Sequence, residues 1–384
     1  MSRGPWIDHF GDNFLWSNAT LILKGMAPYG VVALEEIDRV CEKLRMRQSD
    51  PHAWQEEWRA MGERVDARAA AALAKGHTMT AGNYYLRAGI YHYNAERFIS
   101  PSPEKRAQGE IAYRCWHTGI RLREPAIEFV EVPYEGTTLA ALFMKGSTDG
   151  RPAPTIVVVN GMDNAKEMSI FFAGREFARR GFNTLCLDGP GMGEMRRMRG
   201  MPSRYDYEVP GTAAFDYLAT RPDVDTKRIA IFGYSFGGYY SSRIAAFEKR
   251  YAACVALSAL HWDLADWQEK IRQKNARSPA TIAQSNFQFR WVVGAETQEE
   301  GIAIAKKFTL KDVANNITCP FLVTHGGNDR VVPLQNAQKL YDAVGSKKKT
   351  IKIFTTEEGG AEHAHVDNRQ VGIDFAADWI ADNM

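Results

Sequence analysis

Ser235 stands in Gly233-Tyr234-Ser235-Phe236-Gly237, after the apolar run Arg228-Ile229-Ala230-Ile231-Phe232 and before small and aromatic residues from Tyr239 through Ala246. Strand, tight turn and helix in that order would hold a hydroxyl out for attack on a carbonyl carbon. Glycine at 233 and 237 would let the two backbones pass close together. A serine hydroxyl is a weak nucleophile until a base takes its proton, and the base needs a third group to orient it. The chain offers both, in the order serine, acid, histidine. Asp329 follows the predicted strand Phe321 to Thr324 in His325-Gly326-Gly327-Asn328-Asp329. His363 follows the predicted strand Thr350 to Phe354 in Gly359-Gly360-Ala361-Glu362-His363-Ala364-His365.

Other roles are open to each residue. Asp329 has the type and place of a turn residue capping the next helix, His363 could be a solvated loop histidine, and His365 competes with it as the base. His363-x-His365-x-Asp367 also resembles metal-ligand spacing. No further His/Asp/Glu cluster stands at a strand end to complete a shell, so no metal is expected. His325 reads as structural. Acyl chemistry also needs N–H donors aimed at the developing oxyanion. The backbone N–H of Phe236 is one candidate, and that of Met162 in Asn160-Gly161-Met162-Asp163, after the predicted strand Thr155 to Asn160, is the other. Asp188-Gly189-Pro190-Gly191-Met192-Gly193-Glu194 has the wrong glycine spacing for a phosphate cradle, and Pro190 removes a donor. It reads as a tight loop beside the site.

The elements that must carry these residues follow from the hydrophobic pattern. Residues 1 to about 125 read as helices, at Leu34 to Met46, Ala53 to Lys75, Ala81 to Phe98 and Ser102 to Leu122, with Pro51, Gly76 and Pro101 as breaks. In the third, Tyr84, Ala88, Tyr91, Ala95 and Phe98 form an apolar stripe, fit either for helix packing or for lining an aromatic pocket. Near Ala126 the period changes to two. Ile127 to Val132 and Thr138 to Met144 flank a turn at 133–136 and read as a hairpin. From Thr155 strands and helices alternate, among them a helix from about Ala165 to Arg180 and a strand from Asn183 to Leu187, with a helical excursion at about 261–316. This predicts an α/β fold: a mostly parallel sheet covered by helices, an antiparallel hairpin at one edge, and chemistry at the carboxyl ends of the strands.

With 384 residues the chain can bury a large core, and its net charge of +2 gives no field that would favour nucleic acid or an anionic membrane. Five scattered cysteines without Cys-x-x-Cys spacing suit a reducing cytoplasm. No apolar stretch reaches membrane-spanning length, and Asp8 and Asp12 stand where a signal peptide would need an apolar block. A cytoplasmic protein with a small-molecule substrate is the expectation.

The run Leu187-Asp188-Gly189-Pro190-Gly191-Met192-Gly193-Glu194-Met195, with Gly233 to Tyr239, Tyr251-Ala252-Ala253-Cys254 and Glu358 to His363, resembles the 2,6-dihydroxypseudooxynicotine hydrolase family. Fungal heptaketide-shortening hydrolases are more distantly similar. Over residues 50 to 384 the resemblance implies an α/β-hydrolase core (126–384), an N-terminal helical cap domain (1–125) over the active site, a homodimer and no cofactor. It also implies a triad of Ser235, Asp329 and His363. The resemblance further implies an auxiliary glutamate from the segment after Tyr251 to Leu257, where Glu269 is the nearest match.

That family cleaves a carbon–carbon bond beside a ketone on an electron-rich ring, which implies a C–C hydrolase of acyl-aromatic or β-dicarbonyl compounds. An esterase or amidase for small aromatic substrates would use the same triad, and a hydrolase-fold protein that only binds a ligand is a third reading.

Overall fold

The computed structural model describes the chain except residues 1–3, 5, 12, 148, 163, 259–261, 267 and 270–286. Asp163, His261 and much of the 261–316 excursion therefore lie outside the described residues. Two compact units are present, one of Met1–Ile127 with Ser278–Gln288 and one of Glu128–Arg277 with Phe289–Met384.

The first unit is helical: α1 Phe14–Lys24, α2 Leu34–Arg45, α3 Ala53–Ala74, α4 Thr78–Glu96 and α5 Pro103–Arg123. Ser102 caps α5 by accepting the Lys105 N–H at 3.2 Å, as a serine ahead of Pro103 would. Periodicity misses α1. Its buried residues include Trp16, Ser17, Ala19, Thr20, Leu21 and Leu23, so it shows no apolar stripe to read. The stripe on α4 is helix packing. The Tyr91 ring meets Trp58, its hydroxyl donates to Glu36 at 2.7 Å, and Phe98 meets Trp54.

The second unit is built on one eight-stranded sheet, ordered β1-β2-β4-β3-β5-β6-β7-β8. The strands are β1 Glu128–Tyr134, β2 Thr137–Met144, β3 Ala153–Val159, β4 Asn183–Leu187, β5 Val224–Tyr234, β6 Ala253–Leu257, β7 Phe321–Gly326 and β8 Lys349–Phe354. Only β1 with β2 and β2 with β4 run antiparallel. The hairpin turn is tighter than the sequence suggests: Glu135 and Gly136 alone make it, both at positive φ, which matches the twist of the flanking strands.

Helices α6 Lys166–Ser169 and α7 Arg175–Ala178 are joined by a π-helical turn at Ile170–Gly174. Then follow α8 Gly193–Arg197, α9 Glu208–Ala219, α10 Phe236–Phe247, α11 Gln288–Val293, α12 Gln298–Ala305, α13 Leu334–Ala343 and α14 Arg369–Asn383. Strand β5 begins at Val224, four residues before the apolar run, because Val224 pairs with Ala153 across a register shift. Strands β4, β6 and β7 are buried along their length, β3 at all positions but Pro154 and β5 from Ile229 onward, and these parallel strands present their carboxyl ends as one edge on which loops converge.

Candidate active site

Strand β5 ends at Tyr234 and α10 starts at Phe236, so Ser235 alone makes the turn, at φ 56° and ψ −120°. A non-glycine residue held there stores about 1–3 kcal/mol of strain, which the surrounding packing must offset. The flanking glycines have no substitute. A Cβ on Gly233 would overlap the carbonyl oxygen of Gly237, and one on Gly237 would overlap that of Val159 at the end of β3.

The loops after β7 and β8 bring the other two residues to this turn. His363 Nε2 stands 2.8 Å from Ser235 Oγ, and its Nδ1 stands 2.7 Å from Asp329 Oδ2. The other Asp329 oxygen accepts the N–H groups of Val331 and Val332, each at 2.8 Å. Burial alone would raise the Asp329 carboxyl, but His363, with smaller help from His325 and the Val332 N–H, holds it below the usual carboxylate range. An ionised Asp329 only accepts, so His363 Nδ1 carries the proton and Nε2 is left to accept from the serine.

His365, two residues on, is turned away. Its Nδ1 donates to the Gly360 carbonyl at 2.5 Å and its Nε2 lies 3.1 Å from Thr324 Oγ1. Burial pushes its pKa down to about 4, against the opposing pull of the Gly360 carbonyl. Asp367 accepts the N–H groups of Gly360, Ala361 and Glu362 and so shapes the His363 loop. The donors of the metal-like His-x-His-x-Asp spacing are thus engaged within the loop. His325 donates through Nε2 to the Val332 carbonyl at 3.1 Å and is held neutral mainly by burial, a structural role.

Strain gathers around these residues. Of five non-glycine residues with positive φ among those described, four are Ser235, Ser258, Ala364 and His365. Ser258, directly after β6, accepts the Ala364 N–H through Oγ at 3.1 Å and donates its own N–H to Thr324, which ties the His363 loop to the sheet. Nothing local in the sequence marks Ser258, because its partner lies 106 residues away.

The candidate oxyanion donors belong to segments that meet at the turn. Phe236 opens α10, with its N–H at the positive end of the helix dipole. Met162 follows Gly161, where an added Cβ would lie 3.2 Å from that of Ser235. Glu269 is part-buried in a helical stretch beyond β6. Elsewhere, Asp66, His92 and Cys115 bring possible ligand atoms within 4.8 Å of one another in the helical unit. Gln108 Nε2 donates to His92 Nδ1 at 2.7 Å, which leaves the proton on the nitrogen that would have to bind a metal. The buried Cys115 thiol is pushed up to about 12. The imidazole and thiol of that set keep their protons, and Asp66 is paired with Arg114 at 2.5 Å, so the three are engaged without a metal.

The Asp188 loop is more than a neighbour of the site. Asp188 is fully buried, and its carboxylate accepts from the Asn160 side chain at 2.5 Å and from the N–H groups of Lys166 and Glu194, each at 2.8 Å. Gly193, at φ 37°, lies so close that a Cβ would overlap that carboxylate.

A model of the prolyl oligopeptidase family matches residues 177–384, which hold Ser235, Asp329 and His363. The chain is 29% identical over 356 residues to the alpha/beta hydrolase gkaG of Penicillium citrinum, covering 83% of each protein. It is 26% identical over 360 residues to the 20-hydroxy-prefusarin hydrolase FUS2 of Gibberella moniliformis, covering 84% of this chain and 85% of that one. Among solved structures, 2,6-dihydroxy-pseudo-oxynicotine hydrolase superposes with a TM-score of 0.77 at 23% identity, over 94% of this chain and 95% of the other, a shared fold.

Proposed function

The chain belongs to the prolyl oligopeptidase family of α/β hydrolases, and on that premise we propose that it is a serine hydrolase cleaving a carbon–carbon bond beside a carbonyl in a small acyl-aromatic or β-dicarbonyl compound. The observation that carries the serine mechanism is the hydrogen-bonded line in which His363 spans Ser235 and Asp329 at 2.8 and 2.7 Å. The bond type rests on likeness to proteins named for hydrolysis of 2,6-dihydroxy-pseudo-oxynicotine and 20-hydroxy-prefusarin.

Ser235 Oγ attacks the carbonyl carbon while His363 Nε2 takes the hydroxyl proton, and the N–H groups of Phe236 and Met162 receive the oxyanion. As the tetrahedral species collapses, the bond to the leaving carbon breaks with its electron pair, and His363 returns the proton to that carbon. An aryl or enolate carbon can leave because ring hydroxyls or a second carbonyl spread its charge. Water, deprotonated by His363, then attacks the acyl-serine and releases a carboxylic acid. Glu269 is assigned the auxiliary acid. A homodimer and a cytoplasmic location remain part of the same proposal.

The test is product analysis on acyl-phenols, β-diketones and aryl esters, with Ser235→Ala beside the wild type. The expected result is a carboxylic acid plus the de-acylated arene or ketone from wild type, and at least a thousandfold loss in the variant, about the scale of losing such a nucleophile. Turnover of aryl esters or amides alone would replace this reading with an esterase or amidase. Undiminished activity of Ser235→Ala would remove the serine mechanism.

A further inference from the structure

Asn160, Ser169, Asp188 and Tyr234 are each at most 2% exposed, and they form one chain of hydrogen bonds beneath the Ser235 turn. Their donor directions are fixed from one end. The Asp188 carboxylate accepts from the Asn160 amide at 2.5 Å, so the Asn160 carbonyl faces the other way and accepts from Ser169 Oγ, also at 2.5 Å. Ser169 has then given its proton, and the Tyr234 hydroxyl, 2.8 Å away, must donate to it. The relay runs Tyr234 to Ser169 to Asn160 to Asp188 with every donor pointing the same way and a charge at its end, an arrangement in which the bonds strengthen one another.

What this relay holds is the loop that carries Met162. The loop leaves β3 at Asn160 and enters α6 at Lys166, and Asp188 Oδ1 accepts from both, from the Asn160 side chain and from the Lys166 N–H at 2.8 Å. One carboxylate oxygen thus closes the loop at its two ends. The far end of the relay is Tyr234, the residue before Ser235, so the oxyanion loop and the nucleophile turn are tied by side chains as well as by the Gly161 contact. The burial of all four residues keeps water from competing for these bonds.

We propose that Asp188, through Asn160, Ser169 and Tyr234, positions the Met162 N–H against Ser235 for the transition state. These are positioning residues, since none of them touches the reacting atoms. The proposal rests on the serine reading of the site. It accounts for the Asp188 to Glu194 motif, whose glycine spacing is wrong for a phosphate cradle and whose carboxylate is spent on the oxyanion loop.

An oxyanion donor displaced by a few tenths of an ångström loses transition-state binding but not substrate binding. Hydrolysis of 4-nitrophenyl acetate by Asp188→Asn and Asn160→Ala is therefore expected to show kcat about 10–100-fold lower, with KM within about threefold of wild type. A trifluoromethyl ketone, whose adduct carries the oxyanion, should bind more weakly by a similar factor. Tyr234→Phe, which removes only the outermost donor, should show the smallest loss.

Where Asp188→Asn does not fold, Ser169→Ala breaks the same relay by removing one oxygen and gives the same split between kcat and KM. Folded variants with wild-type kcat, or with losses confined to KM, overturn the proposal. Ser235→Ala separates the two levels: if it is inactive while the relay variants are unaffected, positioning alone falls. If Ser235→Ala retains turnover, the serine reading falls and takes this inference with it.

Discussion

Where one proton sits decides whether Ser235 has a base. Asp329 is held ionised by His363 despite its burial, so it accepts from Nδ1 and leaves Nε2 bare toward the serine. An asparagine at 329 keeps the size of the side chain but can present N–H to the ring, which favours the tautomer with its proton on the wrong nitrogen. Asp329→Asn is expected to lower kcat by about 10⁴ with little change in unfolding midpoint, as steady-state kinetics beside urea titration would record. A loss under tenfold would take Asp329 out of the mechanism. Residue types and strand-end positions make Ser235, Asp329 and His363 legible in sequence. They cannot separate His363 from His365, since two positions so close share one loop. The separation comes from Ala364 and His365 at φ 51° and 55°, which turn one ring to Ser235 and the other to Gly360.

Elements carry the same lesson with different reach. Strand β4 is legible to the residue, because all five of its positions are buried and its ends are polar or glycine-bearing loops. The helix expected at about 165–180 is interrupted by the π turn at Ile170–Gly174, an inserted residue that no periodicity of 3.6 can reveal. The relay through Asp188 is equally silent in sequence, since its members lie 9, 28 and 65 residues apart and meet only when β3, β4 and β5 align. The turn around Ser235 is the opposite case, because its glycines announce its geometry. Gly233→Ala puts a methyl onto the Gly237 carbonyl oxygen, a backbone atom that no rotamer change can move. The expected outcome is a loss of about 3 kcal/mol or more in urea unfolding, or no soluble protein. A variant within 0.5 kcal/mol of wild type, about the scatter of a surface substitution, would mean the turn is looser than its contacts indicate.

Across the whole molecule, each unit holds a histidine that folding keeps neutral. His92 sits in the helical unit and is pushed down to about 4, by burial first, with Arg114 and Arg59 aiding and Asp66 opposing. His365 sits in the sheet unit and is pushed down to about 4, again by burial first, with the Gly360 carbonyl and Asp367 opposing. An unfolded histidine titrates near 6.5, so both folded values are depressed. Stability from such a group is complete above about 6.5 and is lost as the pH falls toward 4, because the unfolded chain binds a proton that the folded one refuses. Each group accounts for of order 3 kcal/mol over that window. Urea unfolding at pH 7 and pH 4.5 should therefore show a drop of several kcal/mol. His92→Gln, which keeps an acceptor for Gln108, should be less stable at pH 7 and yet lose less on acidification. The same fall in variant and wild type would mean that His92 takes up its proton as readily in the folded chain as in the unfolded one, so that burial does not keep it neutral.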